Sequence, residues 1–292
     1  MSDAQEFGGN WTDEKLDRLK KYLHAYTVAL KNQPFKTTYI DAFAGTGYRR
    51  SKSSRSEGEM LFDDLGGDEP EEFRDGSARV ALQTQPSFDE YIFLEKSQER
   101  VQALEALRSD FPSVADRIKI VKAECNAHLQ HLARCRWNSR RAVVFLDPYG
   151  MQVQWATIEA MAKTQAIDLW ILFPHAMGVQ RMLRNDDRMP ESWRNRLTAF
   201  FGEETWHDAF YEKVVEPSLF GSQEVVRKIA DLELIKDYFL DRLRSVFAGV
   251  ANKTLTLCNS RGTPLYLLCF ACANPKGSRI ALRIANNILE KG

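Results

Sequence analysis

The chain has 292 residues, 44% of them hydrophobic, and its 40 basic residues balance its 40 acidic residues. That length suits one large α/β domain, and a net charge of zero excludes a strong overall attraction to polyanions. The sequence lacks an apolar run near the roughly 20 residues of a membrane-spanning helix, its start is unlike a secretory leader, and it has five cysteines, so we expect a cytoplasmic protein with no membrane partner.

The first predicted elements are an amphipathic helix and a buried strand. Residues 11–31 open with a helix cap at Thr12 and carry apolar residues at helical spacing. Residues 37–44 are β-branched and aromatic, which is typical of a strand covered on both faces. The strand runs into a turn where Gly45 and Gly47 permit positive φ and a close approach of the backbone to a ligand.

An acidic segment follows at residues 49–75. Between positions 51 and 76 the chain has three basic and nine acidic residues, a net charge of −6, so the remainder carries +6. We expect a mobile insert here. The modestly basic remainder is compatible with a nucleic-acid substrate, and the alternative is an ordinary neutral enzyme.

Helices and strands then alternate along the chain. Strands are predicted at residues 91–94, 118–121, 142–146 and 168–173, and helices at 76–83, 98–107, 126–135 and 155–163. With the first strand, this alternation predicts an α/β, Rossmann-like fold with a doubly wound, mainly parallel sheet.

The pattern changes after the fifth strand. The sequence predicts a helical insertion over residues 177–250, a C-terminal β-hairpin from 254–258 and 265–273, and a last helix through Arg283. The insertion is expected to be mostly helical and to be broken at Pro190 and Pro217. We expect all of these elements to belong to a single domain over residues 1–292.

Cys269-x-x-Cys272 has the spacing of half a zinc site. The sequence offers no second pair at metal spacing, and the motif lies inside the apolar run 265–273. We therefore expect both cysteines to be small core residues, and we predict no metal.

Polar residues recur where the first four predicted strands end. Open α/β sheets bind ligands outside the carboxyl ends of their strands, and these groups follow in the order that a class I S-adenosylmethionine site requires. The glycine turn admits the methionine part, the acid after the second strand accepts from the ribose hydroxyls, and the polar group after the third strand bonds the adenine amine. The predicted cofactor-binding residues are Asp41, Phe43, Gly45, Thr46, Gly47, Glu95, Glu124 and Cys125.

The predicted catalytic residues, Asp147, Pro148 and Tyr149, follow the fourth strand. Methyl transfer to an amine needs a nitrogen lone pair in line with the methyl group and little acid–base chemistry. Asp147 can accept a hydrogen bond from the amine and orient it, Tyr149 can stack on a planar substrate, and Pro148 stiffens the loop. The alternative is an ordinary turn at a strand end.

Asp-x-Phe-x-Gly-x-Gly at residues 41–47 and Asp-Pro-aromatic at 147–149 together resemble amino-group methyltransferases that act on DNA or RNA bases. The chain is more similar still to the three-Cys-motif partner family (TcmP-like) of bacteria and phages. The shared features are the N-terminal amphipathic helix, the Phe-Ala-Gly-x-Gly loop, Gly76-Ser77, the Leu-Asp-Pro-aromatic-Gly loop and Gly-Thr-Pro-Leu-Tyr at 262–266.

The resemblance implies a class I methyltransferase-like fold and a neighbouring protein with three cysteines as a partner. One feature departs from the base-modifying enzymes, which usually carry Asp/Asn-Pro-Pro-aromatic. Here the aromatic residue, Tyr149, arrives one position earlier and Gly150 takes its place. That shift leaves the target atom open, because it changes where Tyr149 points relative to a flipped base.

A basic and aromatic cluster follows the fifth strand. Arg181, Arg184 and Trp193 are its candidate substrate-binding residues, since such groups bind phosphates and stack on bases. The alternative is a solvated helical face, because acidic neighbours reduce the net charge there to +2. His175 lies just after the same strand and is a candidate for the pocket rim, with a structural role as the alternative.

These features predict an S-adenosylmethionine-dependent methyltransferase that modifies a nitrogen of a nucleic-acid base. Two alternatives stay open. The first is a catalytically silent protein of the same fold that binds or regulates together with a partner protein. The second is a methyltransferase that acts on a protein or a small molecule.

Overall fold

A mixed β-sheet and a separate β-hairpin form the framework of the described chain. The computed structural model describes residues 11–44, 76–218 and 221–290. The strands are β1 Lys36–Asp41, β2 Glu90–Glu95, β3 Ile118–Lys122, β4 Arg140–Leu146, β5 Ile167–Phe173, β6 Tyr211–Ser218, β7 Gly221–Lys228, β8 Gly249–Val250, β9 Leu255–Cys258 and β10 Pro264–Cys272. The α-helices are α1 Trp11–Leu30, α2 Gly76–Gln83, α3 Gln98–Asp110, α4 Cys125–Ala133, α5 Trp155–Lys163, α6 Glu191–Phe201, α7 Trp206–Phe210, α8 Leu232–Val246 and α9 Ser278–Glu290.

The sheet has the strand order β3-β2-β1-β4-β5-β10-β8, with β9 beside β10. Strands β1 to β5 run parallel, and β10 is antiparallel to β5. The chain adds β2 and β3 on one side of β1 and then β4 and β5 on the other, so a topological switch point lies between β1 and β4. This arrangement confirms the predicted Rossmann-like fold, its mainly parallel sheet and its C-terminal hairpin.

Helices cover both faces of the sheet, which explains why β5 is buried along its whole length. Because β-α-β crossovers between parallel strands are right-handed as a rule, this strand order puts α2 and α3 on one face and α4 and α5 on the other, and α4 packs against α5. Helix α1 packs against α2 and α9. Its Tyr22 lies 5.2 Å from Trp170 and 4.9 Å from Phe270, measured between ring centroids, so the apolar side of α1 packs on the sheet.

The segment between β5 and β8 corrects one prediction. It contains α6, α7 and α8, but helix is wrong for Tyr211–Ser218 and Gly221–Lys228, which pair as the antiparallel strands β6 and β7. Val214 pairs with Val225 in that hairpin, and β-branched cross-strand pairs favour strand over helix. Pro217 lies in β6 opposite Ser222, close to the end of the strand, where a two-stranded ribbon tolerates a missing donor.

The remaining predictions differ in outcome. Cys269 and Cys272 are fully buried in β10, which confirms them as core residues. The acidic segment 49–75 lies outside the described residues, and the single domain over 1–292 stays a prediction. Among the helices that the structure describes, none is long and apolar enough to cross a membrane.

Candidate active site at the carboxyl edge of the sheet

The predicted polar residues that lie within the described chain meet at one edge of the sheet. Asp41, Glu95 and Asp147 stand at the carboxyl ends of β1, β2 and β4, and Glu124 follows β3. Because these four strands are adjacent and parallel, their ends line one continuous edge. Asp41 and Asp147 flank the switch point between β1 and β4, where an open α/β sheet leaves a crevice for a ligand.

Asp41 is fully buried at this crevice. Its carboxylate accepts hydrogen bonds from the Phe43 N–H at 3.2 Å and the Tyr39 hydroxyl at 3.3 Å, and also from the Ser77 side chain. Burial raises the pKa of Asp41 to about 6. The hydrogen bonds oppose this rise, and the nearby negative charge of Asp147 adds to it. Asp41 therefore changes charge close to neutral pH, as residues of functional sites often do.

The start of the glycine turn is tied to both strands beside β1. The Ala42 N–H donates to the Phe145 carbonyl of β4, and the Ala44 N–H donates to the Leu94 carbonyl of β2, each at 3.1 Å. Phe43, between them, is partly buried against the core. The other predicted residues of this turn, Gly45, Thr46 and Gly47, lie outside the described residues.

Glu95 is held at the end of β2 with 8% of its surface exposed. One carboxylate oxygen, Oε1, accepts from the Ser97 N–H at 2.7 Å, and the other, Oε2, lies 3.8 Å from an Arg100 guanidinium nitrogen. This leaves Oε2 as the better acceptor for the hydroxyl groups of a ligand.

Glu124 caps α4. Its carboxylate accepts from the backbone N–H groups of Asn126 at 3.0 Å and Ala127 at 2.8 Å. Burial works to raise the pKa of Glu124, but these hydrogen bonds outweigh it and hold the pKa below its ordinary value. The adjacent Cys125 is buried, and burial together with the Glu124 charge raises the pKa of its thiol to about 12, so the thiol stays protonated.

Asn126 connects this cap to the loop after β4. Its Nδ2 donates to Glu124 at 2.8 Å and to the Gln152 carbonyl at 2.9 Å, while its Oδ1 accepts from the Gln154 N–H and the Thr157 hydroxyl, both at 2.9 Å. The side chain is buried with its polar atoms paired. It fixes the far end of the loop that begins at Asp147.

Asp147 lies in an ion pair that the sequence does not indicate. The ammonium of Lys15, on α1, lies 2.6 Å from Asp147 Oδ2. Pro148 and Gly150 are buried, Tyr149 is half-buried, and Gly150 has a φ of 72°, which glycine adopts without strain. The loop therefore leaves the edge of the sheet through a fixed turn, with Asp147 tied to the N-terminal helix.

The arginine cluster has charges that are partly neutralised. The Arg184 guanidinium lies 5.6 Å from the centroid of the Trp193 ring, a cation–π distance. Arg194 lies 2.9 Å from Asp187. Arg184 is exposed, and Arg181 and Trp193 are half-buried. Each of the three predicted substrate-binding residues is therefore at least partly exposed to solvent on the segment after β5.

His175 begins a π-helical turn at His175–Gln180 and is buried. Burial lowers its pKa to about 4, and the charge of Lys236 lowers it further in the same direction. The imidazole is therefore neutral at pH 7. Within residues 11–44, 76–218 and 221–290, no three His, Cys, Asp or Glu side chains are grouped as metal ligands would be.

Comparisons with known proteins found likeness only at the level of solved structures. No protein-family model matches the chain, and no curated protein matches it. A Legionella pneumophila protein is similar over 89% of this chain and 97% of its own, with a TM-score of 0.41 and 14% identity. Magnesium protoporphyrin IX methyltransferase from Synechocystis with bound SAH is similar over 89% and 84%, with a TM-score of 0.40 and 12% identity. A putative rRNA methylase from Clostridium thermocellum is similar over 71% and 94%, with a TM-score of 0.29 and 11% identity. Similarity at this level assigns neither a reaction nor a cofactor.

Proposed function

We propose that the chain is an S-adenosylmethionine-dependent methyltransferase. The observation that supports this most is the row of polar residues at the carboxyl ends of four adjacent parallel strands, around the switch point between β1 and β4. That edge is where an open α/β sheet binds a nucleoside-containing ligand. The donor set fits this cofactor, because it combines a buried carboxylate, a second carboxylate on the neighbouring strand and a polar cap on the next.

The proposed roles follow the strand order. Asp41, with Phe43 and the turn through Gly47, holds the methionine part, whose ammonium pairs with the buried carboxylate. Glu95 accepts from the ribose hydroxyls through the oxygen that Arg100 approaches only at 3.8 Å. Glu124 and Cys125 stand on the adenine side, where the capped carboxylate of Glu124 is charged at neutral pH.

Asp147, Pro148 and Tyr149 form the acceptor side. The cofactor supplies a methyl group on a sulfonium, which an acceptor lone pair attacks in line. Asp147 accepts a hydrogen bond from the acceptor N–H and so directs its lone pair, and Tyr149 packs on a planar acceptor. Holding the reacting atoms in a near-attack arrangement is worth several kcal/mol in such a reaction.

The proposed acceptor is a nitrogen of a DNA or RNA base. Arg181, Arg184 and Trp193 support it, since an exposed guanidinium at cation–π distance from a half-buried indole suits phosphate contact and base stacking. The motifs that the chain shares with the three-Cys-motif partner family support the further proposal that it is a member of that family and acts with a partner protein encoded nearby. Five free cysteines support a cytoplasmic location.

A second candidate is a protein of this fold that binds the cofactor without turnover. The observation that favours it is the Lys15–Asp147 ion pair, which already occupies one oxygen of the proposed catalytic carboxylate. A methyltransferase for a protein or a small molecule is the third possibility. The experiments below separate these three.

Titration calorimetry with S-adenosylmethionine at pH 8 tests the cofactor. We expect wild-type protein to bind and Asp41→Asn or Glu95→Gln to bind at least tenfold more weakly, which is about 1.4 kcal/mol. Glu90→Gln is the matched control, because Glu90 lies at the other end of β2. Absence of binding by the wild type contradicts the proposal.

Transfer of a labelled methyl group to DNA, RNA and cell protein tests the reaction. Label in nucleic acid that disappears with Asp147→Ala supports the proposed acceptor. Label in protein supports a methyltransferase that acts on a protein. Cofactor binding without any transferred label supports a protein of this fold that binds the cofactor without turnover.

Nucleic-acid affinity measured at several salt concentrations tests the arginine cluster. Arg184→Gln is expected to reduce the slope of affinity against salt concentration, and a wild-type affinity that does not change with salt contradicts phosphate contact.

A further inference from the structure

Lys15 is a charged side chain buried where the sheet ends. It is 4% exposed, and its ammonium lies 2.6 Å from Asp147 Oδ2. The same ammonium lies 4.7 Å from the centroid of the Trp11 ring, and that ring packs at 5.5 Å from Tyr266 of β10. Trp11 of α1 and Asp147 of the loop after β4 therefore flank one lysine, and Tyr266 of β10 packs against Trp11.

An anchor for α1 does not require this ion pair. Burying an ammonium costs several kcal/mol unless a partner compensates it, and apolar contacts would attach the helix at lower cost. Leu19, Tyr22 and Leu23 of α1 are already buried and supply such contacts. The position of the lysine, against the proposed acceptor carboxylate, points to a role at the site.

The two oxygens of Asp147 differ. Oδ2 accepts from Lys15, whereas Oδ1 has no hydrogen bond with the residues that the structure describes. The Asp147 side chain is 28% exposed, so it can still meet a ligand. One oxygen is thus fixed by the protein and the other remains for an acceptor.

We propose that Lys15 is a positioning residue of the acceptor site. Lys15 holds Asp147 through Oδ2 and leaves Oδ1 for the acceptor. Its positive charge also balances the negative charge of Asp147, which lies beside Asp41. This inference rests on the proposed cofactor site, because its consequence is measured on S-adenosylmethionine binding.

The charge balance gives a measurable consequence at Asp41. Among the described residues, the groups that face Asp41 are the Tyr39 hydroxyl of its own strand, Ser77 of α2, the Phe43 N–H and Asp147 of the loop after β4. Loss of the Lys15 ammonium leaves the negative charge of Asp147 uncompensated, which favours protonated Asp41. Cofactor binding that needs the Asp41 carboxylate then begins at a higher pH.

The experiment measures S-adenosylmethionine affinity by calorimetry from pH 5 to 8.5. We expect a wild-type midpoint near pH 6, a rise of about 0.5 to 1 pH unit in Lys15→Met, and a fall in Asp147→Asn, which removes the second carboxylate. The double variant is expected to follow Asp147→Asn, and Lys15→Arg to restore the wild-type midpoint. Lys21→Met is the matched control, since Lys21 forms an exposed ion pair with Asp17 on the same helix.

Each outcome decides between the two proposals. A folded Lys15→Met variant with the wild-type midpoint overturns the inference and leaves the cofactor site intact. If Lys15→Met does not fold, the downward shift of Asp147→Asn and the restoration by Lys15→Arg decide, and loss of either overturns the inference. A wild type that binds no S-adenosylmethionine at any pH overturns the proposed function and, with it, this role of Lys15.

Discussion

Asp41 and Asp168 are buried carboxyl groups on one face of the same sheet, and their surroundings differ. The strand register aligns Asp41 with Phe145 and Phe145 with Trp170, so Asp168 lies two strands away and two positions nearer the amino ends. Burial raises the pKa of both, to about 6 for Asp41 and about 7 for Asp168. One of them stands at the end of a strand and the other inside a strand.

Their hydrogen bonds separate the two roles. Asp168 accepts from the hydroxyl of Tyr22 at 2.7 Å, beneath helix α1 and near the amino end of β5, away from the carboxyl edge of the sheet. Asp41 accepts from groups on β1, on the segment directly after β1 and on α2, and it faces Asp147. A raised pKa alone therefore does not distinguish the two acids, and the proposed role of Asp41 rests on its position at the carboxyl edge.

The largest expected effect tests the enclosed acid. Tyr22→Ala removes a fully buried ring that packs on Trp170 and Phe270 and leaves Asp168 without this donor. We expect the free energy of unfolding to fall by about 3–5 kcal/mol, measured by urea denaturation. Tyr22→Phe separates the hydroxyl from the ring and is expected to cost about 1–3 kcal/mol. Equal losses in the two variants would contradict a major contribution from ring packing.

The next effect is the pH dependence of stability at Asp168. In the folded protein the pKa of Asp168 is raised to about 7 from an ordinary 3.8. The contribution of Asp168 to the free energy of unfolding is therefore complete below pH 3.8 and is lost as the pH rises through 7. The loss approaches about 1.4 kcal/mol per pH unit. Asp168→Asn removes this slope, so its stability relative to the wild type rises between pH 4 and 8.

Urea denaturation at several pH values measures that slope. Asp208→Asn is the control, because the Asp208 side chain is 92% exposed. The interpretation of Asp168 as an enclosed acid would be wrong if Asp168→Asn kept the wild-type slope, or if it weakened S-adenosylmethionine binding as Asp41→Asn is expected to do.

Asp41→Asn gives the third effect and contrasts with Asp168→Asn. With a folded pKa of about 6, the stability contribution of Asp41 is lost over a narrower window, from pH 3.8 to about 6. We expect a smaller relative gain in stability at pH 8 than in Asp168→Asn, together with a loss of cofactor affinity of at least tenfold. Denaturation and calorimetry on the same samples check both, and retained affinity would remove the functional distinction between the two acids.

The sequence predicted the strand ends because buried parallel strands leave continuous apolar runs. Asp41, Glu95 and Asp147 each follow such a run, so their common edge could be inferred before the structure was known. Glu124 was predicted from its place after the third strand, in which lysines interrupt the apolar residues, but its function as a helix cap needed the position of Ala127.

Lys15 was missed because its contact with Asp147 spans 132 residues. Along α1 the apolar pattern marks the buried side, and a lysine there is normally expected in solvent. The hairpin β6–β7 was missed for another reason. Its strands carry charged residues beside the valines, and the pairing that stabilises them forms only when both strands meet.

The smallest expected effect compares the two tyrosines that donate to the two acids. Tyr39→Phe removes the 3.3 Å hydrogen bond to Asp41, which keeps the Phe43 N–H and the Ser77 side chain as donors. We therefore expect the free energy of unfolding at pH 7 to fall by less than about 1 kcal/mol, below the loss for Tyr22→Phe. The Tyr39 bond also lowers the pKa of Asp41, so its removal moves the pH midpoint of S-adenosylmethionine binding upward, whereas Tyr22→Phe leaves the midpoint in place. If both tyrosine variants shifted that midpoint equally, the two acids would be electrostatically linked through the sheet, and Asp168 would belong to the site.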